Sequence, residues 1–217
     1  MTIKTKICGL KDRSNLDVAI EAGADFVGFV FFPKSPRNIE LTEAADLVKY
    51  AGKRVQSVAL TVNASDEDLL KINSEVNPDW FQLHGSETPE RVSEVKSLLK
   101  KPVLKALGVA SAADIEKARQ YRKCVDFLLF DAKPIADGKS LPGGNGITFD
   151  WTLLKNVENE MRFMLSGGLN PENVRSAIEL TGAGAVDVSS GVEKSPGEKD
   201  PQLIRNFIAA AHSASKA

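Results

Sequence analysis

Strand-like and helix-like segments alternate from one end of this chain to the other, and no other feature restricts the possible folds so tightly. Ile3 to Cys8 reads as a strand, and Asp12 to Ala22 as a helix with apolar Leu16, Ala19 and Ile20 on one face and Gly23 after its end. Asp25 to Phe31 is a nearly continuous apolar run, as in a parallel strand buried on both faces. A loop over Pro33 to Asn38 leads to a helix from Thr42. The pattern then predicts strands over Arg54–Thr61, Trp80–Leu83, Val103–Leu107, Val125–Phe130, Phe163–Leu165 and Ala185–Val188. Between them it predicts helices over Asp66–Val76, Pro89–Leu99, Ser111–Tyr121 and Phe149–Leu154, then one with Pro171 in its first turn, and Pro201–Ala211 closes the chain. A Pro- and Gly-rich stretch from Ala132 to Ile147 interrupts the rhythm once. Eight strand–helix pairs in 217 residues leave about 27 residues for each, the short end of what a (β/α)8 barrel needs. The expected architecture is therefore α/β, a single-domain (β/α)8 TIM barrel over residues 1–217 with no room for a second domain. An open doubly wound sheet competes, but no glycine fingerprint follows the first strand, where such folds bind a dinucleotide.

Charge and composition narrow the function. A hydrophobic share of 42% beside 26% charged residues suits a globular chain with a sizeable core. The net charge of −1 removes any general electrostatic attraction to nucleic acid or an anionic membrane. Met1 to Lys6 runs into the first strand with no apolar signal segment, and apolar runs such as Phe26 to Phe32 are too short to span a bilayer. Two cysteines more than a hundred residues apart read as reduced thiols, and a cytoplasmic protein is expected. Monomer and homodimer are both compatible with this surface.

In a barrel the carboxyl ends of the strands converge on one face, so the residues there are the candidates for chemistry. They are Cys8, Arg37, His84, Asp131, Gly167-Gly168 and Ser189-Ser190-Gly191. Cys8 is either a small core residue or, at the mouth, a base. As a base it has to act as thiolate, which calls for a pKa near or below the ordinary thiol value. Asp131 is either a loop or cap residue or a proton donor facing Cys8 from across the barrel. The two glycine-bearing turns after strands seven and eight offer backbone N–H groups to a phosphate, with glycine keeping side chains away from the anion. Arg37 is either a solvated surface residue or a bidentate grip on a carboxylate. With two histidines in the chain, a histidine metal cluster is unavailable.

The residues resemble one family along the whole chain, in Lys6-Ile7-Cys8-Gly9, Gly28-Phe29-Val30-Phe31-Phe32-Pro33-Lys34-Ser35 with Arg37, Gln82-Leu83-His84-Gly85, Asp131, Phe149-Asp150-Trp151, Leu165-Ser166-Gly167-Gly168-Leu169, and Asp187-Val188-Ser189-Ser190-Gly191-Val192-Glu193. That family is phosphoribosylanthranilate isomerase of tryptophan biosynthesis. The resemblance implies a (β/α)8 barrel that rearranges a phosphosugar–anthranilate substrate without cofactor or metal, with Cys8 as general base and Asp131 as general acid. It implies Arg37 near the anthranilate carboxylate, and substrate contacts at His84, Gly167, Gly168, Asp187, Ser189, Ser190 and Gly191. Two positions depart from the expected pattern, Asn145 where a small Ser or Thr is expected and Ala132 after Asp131. The related barrel isomerases of histidine biosynthesis share the phosphate-binding architecture, but an aspartate is expected there at the position of Cys8. A non-catalytic phosphosugar-binding protein on the same scaffold is the third reading.

Overall fold

Eight short parallel strands pair in sequence order and then close on themselves: β1 (Lys4–Cys8), β2 (Phe26–Phe31), β3 (Gln56–Thr61), β4 (Trp80–Leu83), β5 (Val103–Val109), β6 (Phe127–Ala132), β7 (Phe163–Leu165) and β8 (Ala185–Val188). The last strand returns to the first in the register Lys4↔Ala185 to Ile7↔Val188, which leaves the barrel without an open edge. The structure, a computed structural model, describes residues 2–133, 143, 146, 148–155, 157 and 161–214. Most of the stretch from Ala132 to Ile147, including Asn145, lies outside the described residues.

The helices on the outside begin where the sequence supplies caps. They are α1 (Arg13–Glu21), α2 (Leu41–Ala51), α3 (Asp66–Glu75), α4 (Pro89–Leu99), α5 (Ala112–Ala118), α6 (Val174–Thr181) and α7 (Pro201–His212). Asp12, Ser65, Thr88 and Asp200 each accept a backbone N–H of the first turn, and Pro89 and Pro201 sit where a missing N–H costs nothing. Among the described residues no helix is long and apolar enough to cross a membrane.

The two-residue period of a strand divides each one between two environments. Ile7, Val27, Phe29 and Phe81 face the helices and join the main core. Their neighbours Phe26, Val58, Leu104, Leu129 and Met164 fill the barrel interior. Continuing that alternation toward the carboxyl ends puts Lys6, Cys8, Gln82, Asp131, Ser166 and Asp187 on the inner side, above this apolar plug.

Three expectations are corrected. Strand six runs two residues later than the apolar run suggests, because pairing with β5 continues through Gly108↔Asp131 and Val109↔Ala132. Asp131 is thus held by a ladder and is no loop residue. Phe149 to Leu154 forms no α-helix but a 3-10 turn over Trp151–Leu154, capped by Asp150. Finally, α6 starts at Val174, after Pro171. The turn holding Pro171 is stapled by Asn170, whose Oδ1 accepts from Glu172 and Asn173 while Asn173 Oδ1 accepts from Asn170. A small antiparallel pair, β9 (Glu193–Ser195) with β10 (Glu198–Lys199), was not legible as strands in the sequence.

Candidate active site

Cys8 ends β1, two residues beyond Lys6 on the same inner face. Lys6 is fully buried and its ammonium lies 2.8 Å from Asp187 Oδ1, while Asp187 Oδ2 accepts from the Ser166 hydroxyl at 3.2 Å. A buried cation is tolerable only with such a partner. Gly28, paired with Cys8 across β1–β2, makes room for the sulfur: a Cβ there would stand 2.8 Å from Cys8 Sγ and 3.2 Å from its Cα. Burial pushes the Cys8 thiol above its ordinary value, and the charges of Lys6 and Lys199 pull it back without overcoming that. This is opposite to the direction expected of a base poised as thiolate. Cys124 precedes β6, donates its S–H to Tyr121 O at 3.1 Å and does not reach the cavity.

Asp131, near the end of β6, is buried. Its Oδ1 accepts from the backbone N–H of Ala132 at 2.8 Å and its Oδ2 lies 3.3 Å from His84 Nε2. Around the ring β7 and β8 separate β6 from β1, so Asp131 and Cys8 stand three strands apart and short of diametrically opposed. Gly143 packs on the His84–Asp131 pair, where a Cβ would come within 2.7 Å of His84 Cε1 and 2.9 Å of Asp131 Oδ2.

Arg37 is buried, contrary to a solvated surface residue. Its Nε and Nη2 each donate to Glu193 at 2.8 Å, a two-point grip that orients the guanidinium. Glu193 also accepts from Lys199 at 2.7 Å, and Lys199 donates to Ser189 O at 2.9 Å. The Ser189 hydroxyl in turn donates to Cys8 O at 3.0 Å. Burial works against charge on Glu193, but its bonds to Arg37 and the nearby Lys199 outweigh it and hold the carboxyl below its usual range. The pairing of β9 with β10 sets Lys199 opposite Glu193 and so brings both into this chain of contacts. Neither was assigned a role from the sequence, although Glu193 lies in one of the family-like segments.

These groups line a solvent-open cavity at the carboxyl ends of the strands. Cys8, Arg37, His84, Asp131, Gly167, Gly168, Asp187, Ser189 and Ser190 all line it, while Gly191 does not. Val30, Phe32, Leu60 and Val62 form an apolar wall on the β2–β3 side, and the turns after β7 and β8 form the polar side. Gly167 and Gly168 take positive φ of 86° and 64°. The need for glycine in these turns is partly internal. A Cβ on Gly167 would come within 2.5 Å of Ala132 N, and one on Gly191 would collide with the carbonyl of Leu169. Among the described residues no three His, Cys, Asp or Glu side chains converge as metal ligands.

A family model described as N-(5'-phosphoribosyl)anthranilate (PRA) isomerase matches residues 5–210. The N-(5'-phosphoribosyl)anthranilate isomerase of Rhodopseudomonas palustris (strain BisB5) is 52% identical over 211 residues, 97% of this chain and 96% of the relative. Among solved structures, monomers generated from the dimeric phosphoribosylanthranilate isomerase of Thermotoga maritima superpose with a TM-score of 0.84 at 39% identity, covering 96% of this chain and 98% of that one. A phosphoribosylanthranilate isomerase in complex with reduced 1-(o-carboxyphenylamino)-1-deoxyribulose 5-phosphate is similar at 38% identity and TM-score 0.84, with 96% and 98% coverage.

Proposed function

The chain belongs to the N-(5'-phosphoribosyl)anthranilate isomerase family, and from that premise we propose that Asp131 and Cys8 divide the proton transfers of its reaction, Asp131 as general acid and Cys8 as general base. The reaction converts N-(5'-phosphoribosyl)anthranilate to 1-(2-carboxyphenylamino)-1-deoxyribulose 5-phosphate in tryptophan biosynthesis. Asp131 gives its proton to the ribose ring oxygen as the C1–O bond breaks, and the anthranilate nitrogen lone pair fills in as a C1=N iminium. That electron sink acidifies C2–H. The Cys8 thiolate removes this proton, the C2–H electrons form C1=C2 and quench the iminium, and the resulting enolamine tautomerises to the ketone. The substrate supplies its own electrophile, so this route calls for no cofactor.

What supports this division is that a thiol and a carboxyl group line one cavity with an apolar wall on one side and glycine-bearing turns on the other. The anthranilate ring then rests on Val30, Phe32, Leu60 and Val62, and its carboxylate meets the oriented guanidinium of Arg37. The phosphate takes the turns holding Gly167, Gly168, Ser189 and Ser190, with Gly191 acting through the backbone it lets pack. Asp187, tied to Lys6 and Ser166, faces the ribose hydroxyls. One barrel domain over residues 1–217 suffices, as monomer or homodimer, in a reducing cytoplasm that keeps both free cysteines as thiols.

Cys8→Ser and Asp131→Asn are each expected to lower kcat by at least about 10²- to 10⁴-fold, with smaller effects on substrate binding. Loss of phosphoribosylanthranilate fluorescence reports the turnover. Near-normal turnover in either variant removes that residue from its role.

A further inference from the structure

We propose that Gln82 and His84 are positioning residues for Asp131, with Gln82 holding the His84 ring in the tautomer whose Nε2–H points at the Asp131 carboxyl group. The inference rests on Asp131 as the acid and adds what makes its proton leave.

Gln82 stands on β4, fully buried inside the barrel. Its amide nitrogen lies 3.0 Å from His84 Nδ1. An amide N–H2 can only donate, so Nδ1 accepts and the ring carries its single proton on Nε2. That nitrogen lies 3.3 Å from Asp131 Oδ2. The Gln82 carbonyl oxygen is buried with no hydrogen-bond partner among the described residues. A buried carbonyl oxygen left without a partner costs stability and gains nothing at that end. Its other end, on His84, is where it acts.

The tautomer decides the sign of the effect. When Asp131 passes its proton to the ribose ring oxygen it becomes a carboxylate, and the Nε2–H bond to it turns from a neutral to a charge-assisted one. The interaction therefore strengthens as the reaction proceeds, which is the condition for accelerating a step. With the proton on Nδ1 instead, the Nε2 lone pair would accept from the Asp131 O–H and hold the proton back. The Gln82 N–H2 placed against Nδ1 opposes that arrangement.

The chain contains two histidines, so the ¹⁵N spectrum of histidine-labelled protein shows two imidazoles, and His212→Gln assigns them. The expected result is a neutral His84 ring protonated at Nε2, and loss of that single-tautomer signature in Gln82→Met. His84→Ala and Gln82→Met should lower kcat about tenfold to a hundredfold, with KM within about twofold. His84→Gln, whose amide N–H points along the same direction, should recover part of the loss. A resting His84 protonated at Nδ1, or His84→Gln no better than His84→Ala, overturns the proposal. The labelled native protein needs no variant, so misfolding of one cannot protect it. Should Asp131→Asn retain turnover, the acid assignment falls by itself, while the spectrum still reports the tautomer.

Discussion

At the scale of single residues, Cys8 carries the sharpest tension. A proton acceptor is expected to be poised, yet burial keeps this thiol protonated more firmly than an ordinary cysteine despite Lys6 and Lys199 nearby. The two facts are compatible if the thiolate is scarce but strongly basic once formed, since basicity rises with pKa. The consequence is a pH dependence of definite sign. The thiolate should therefore be scarce at neutral pH, and its fraction should rise with alkalinity through a midpoint above the ordinary thiol value of about 8.5. The ultraviolet absorbance of thiolate in the native protein, less that of Cys8→Ser, checks this, and a midpoint well below the ordinary thiol value would show that the site already holds the thiolate.

At the scale of elements, the loop leaving β4 owes its shape to one buried ion pair. Lys105 on β5 donates to Glu87 Oε2 at 2.8 Å, to Gly85 O at 2.7 Å and to Leu83 O at 3.3 Å. Glu87 also accepts from the N–H groups of Asn63 and Gly85, so β3, β4 and β5 are stitched together around the loop that carries His84. Burial alone would raise the Glu87 carboxyl, but Lys105 and these N–H donors outweigh it and lower it. Lys105→Met leaves that carboxylate buried without its cation, and urea unfolding should show a loss of about 3–5 kcal/mol. The folded-state value lies below the unfolded one. The contribution of the Glu87 carboxylate is therefore complete above about pH 4.3 and is lost as pH falls through the lowered value. Acid titration of stability in Glu87→Gln should lack that component.

At the scale of the whole molecule, the contact that closes the barrel joins the two ends of the chain. Strands β1 and β8 pair across most of the chain, and α7 covers the seam with Ile204, Phe207 and Ile208 buried behind it. A ligand that spans the cavity from the β2–β3 wall to the β7–β8 turns touches separate arcs of the ring, which coexist only when the barrel is closed. It should bind the folded state alone. At a hundredfold over its Kd, a non-reactive product analogue is expected to add about 2.7 kcal/mol and to raise Tm by about 5–10 °C. Inorganic phosphate at the same concentration should shift it far less. Equal shifts from the two would mean that the aromatic half of the ligand contributes nothing.

The order of elements and the places where strands end are local properties, written in hydrophobic period, caps and turn residues. The chain therefore announced its barrel, and Cys8, His84, Gly167, Gly168 and Ser189 as residues at its mouth, without any coordinates. Pairing shifts such as Asp131 joining β6 are not legible in the sequence, because an apolar run does not show where a neighbouring strand stops. What only the closed structure decided is which groups confront each other: Arg37 with Glu193, Gln82 with His84 and Asp131, Gly28 beneath the Cys8 sulfur. Those meetings depend on the register of a ring sealed between residues some 181 positions apart. The direction of the Cys8 shift was equally out of reach, since desolvation is a property of surroundings that no short segment contains.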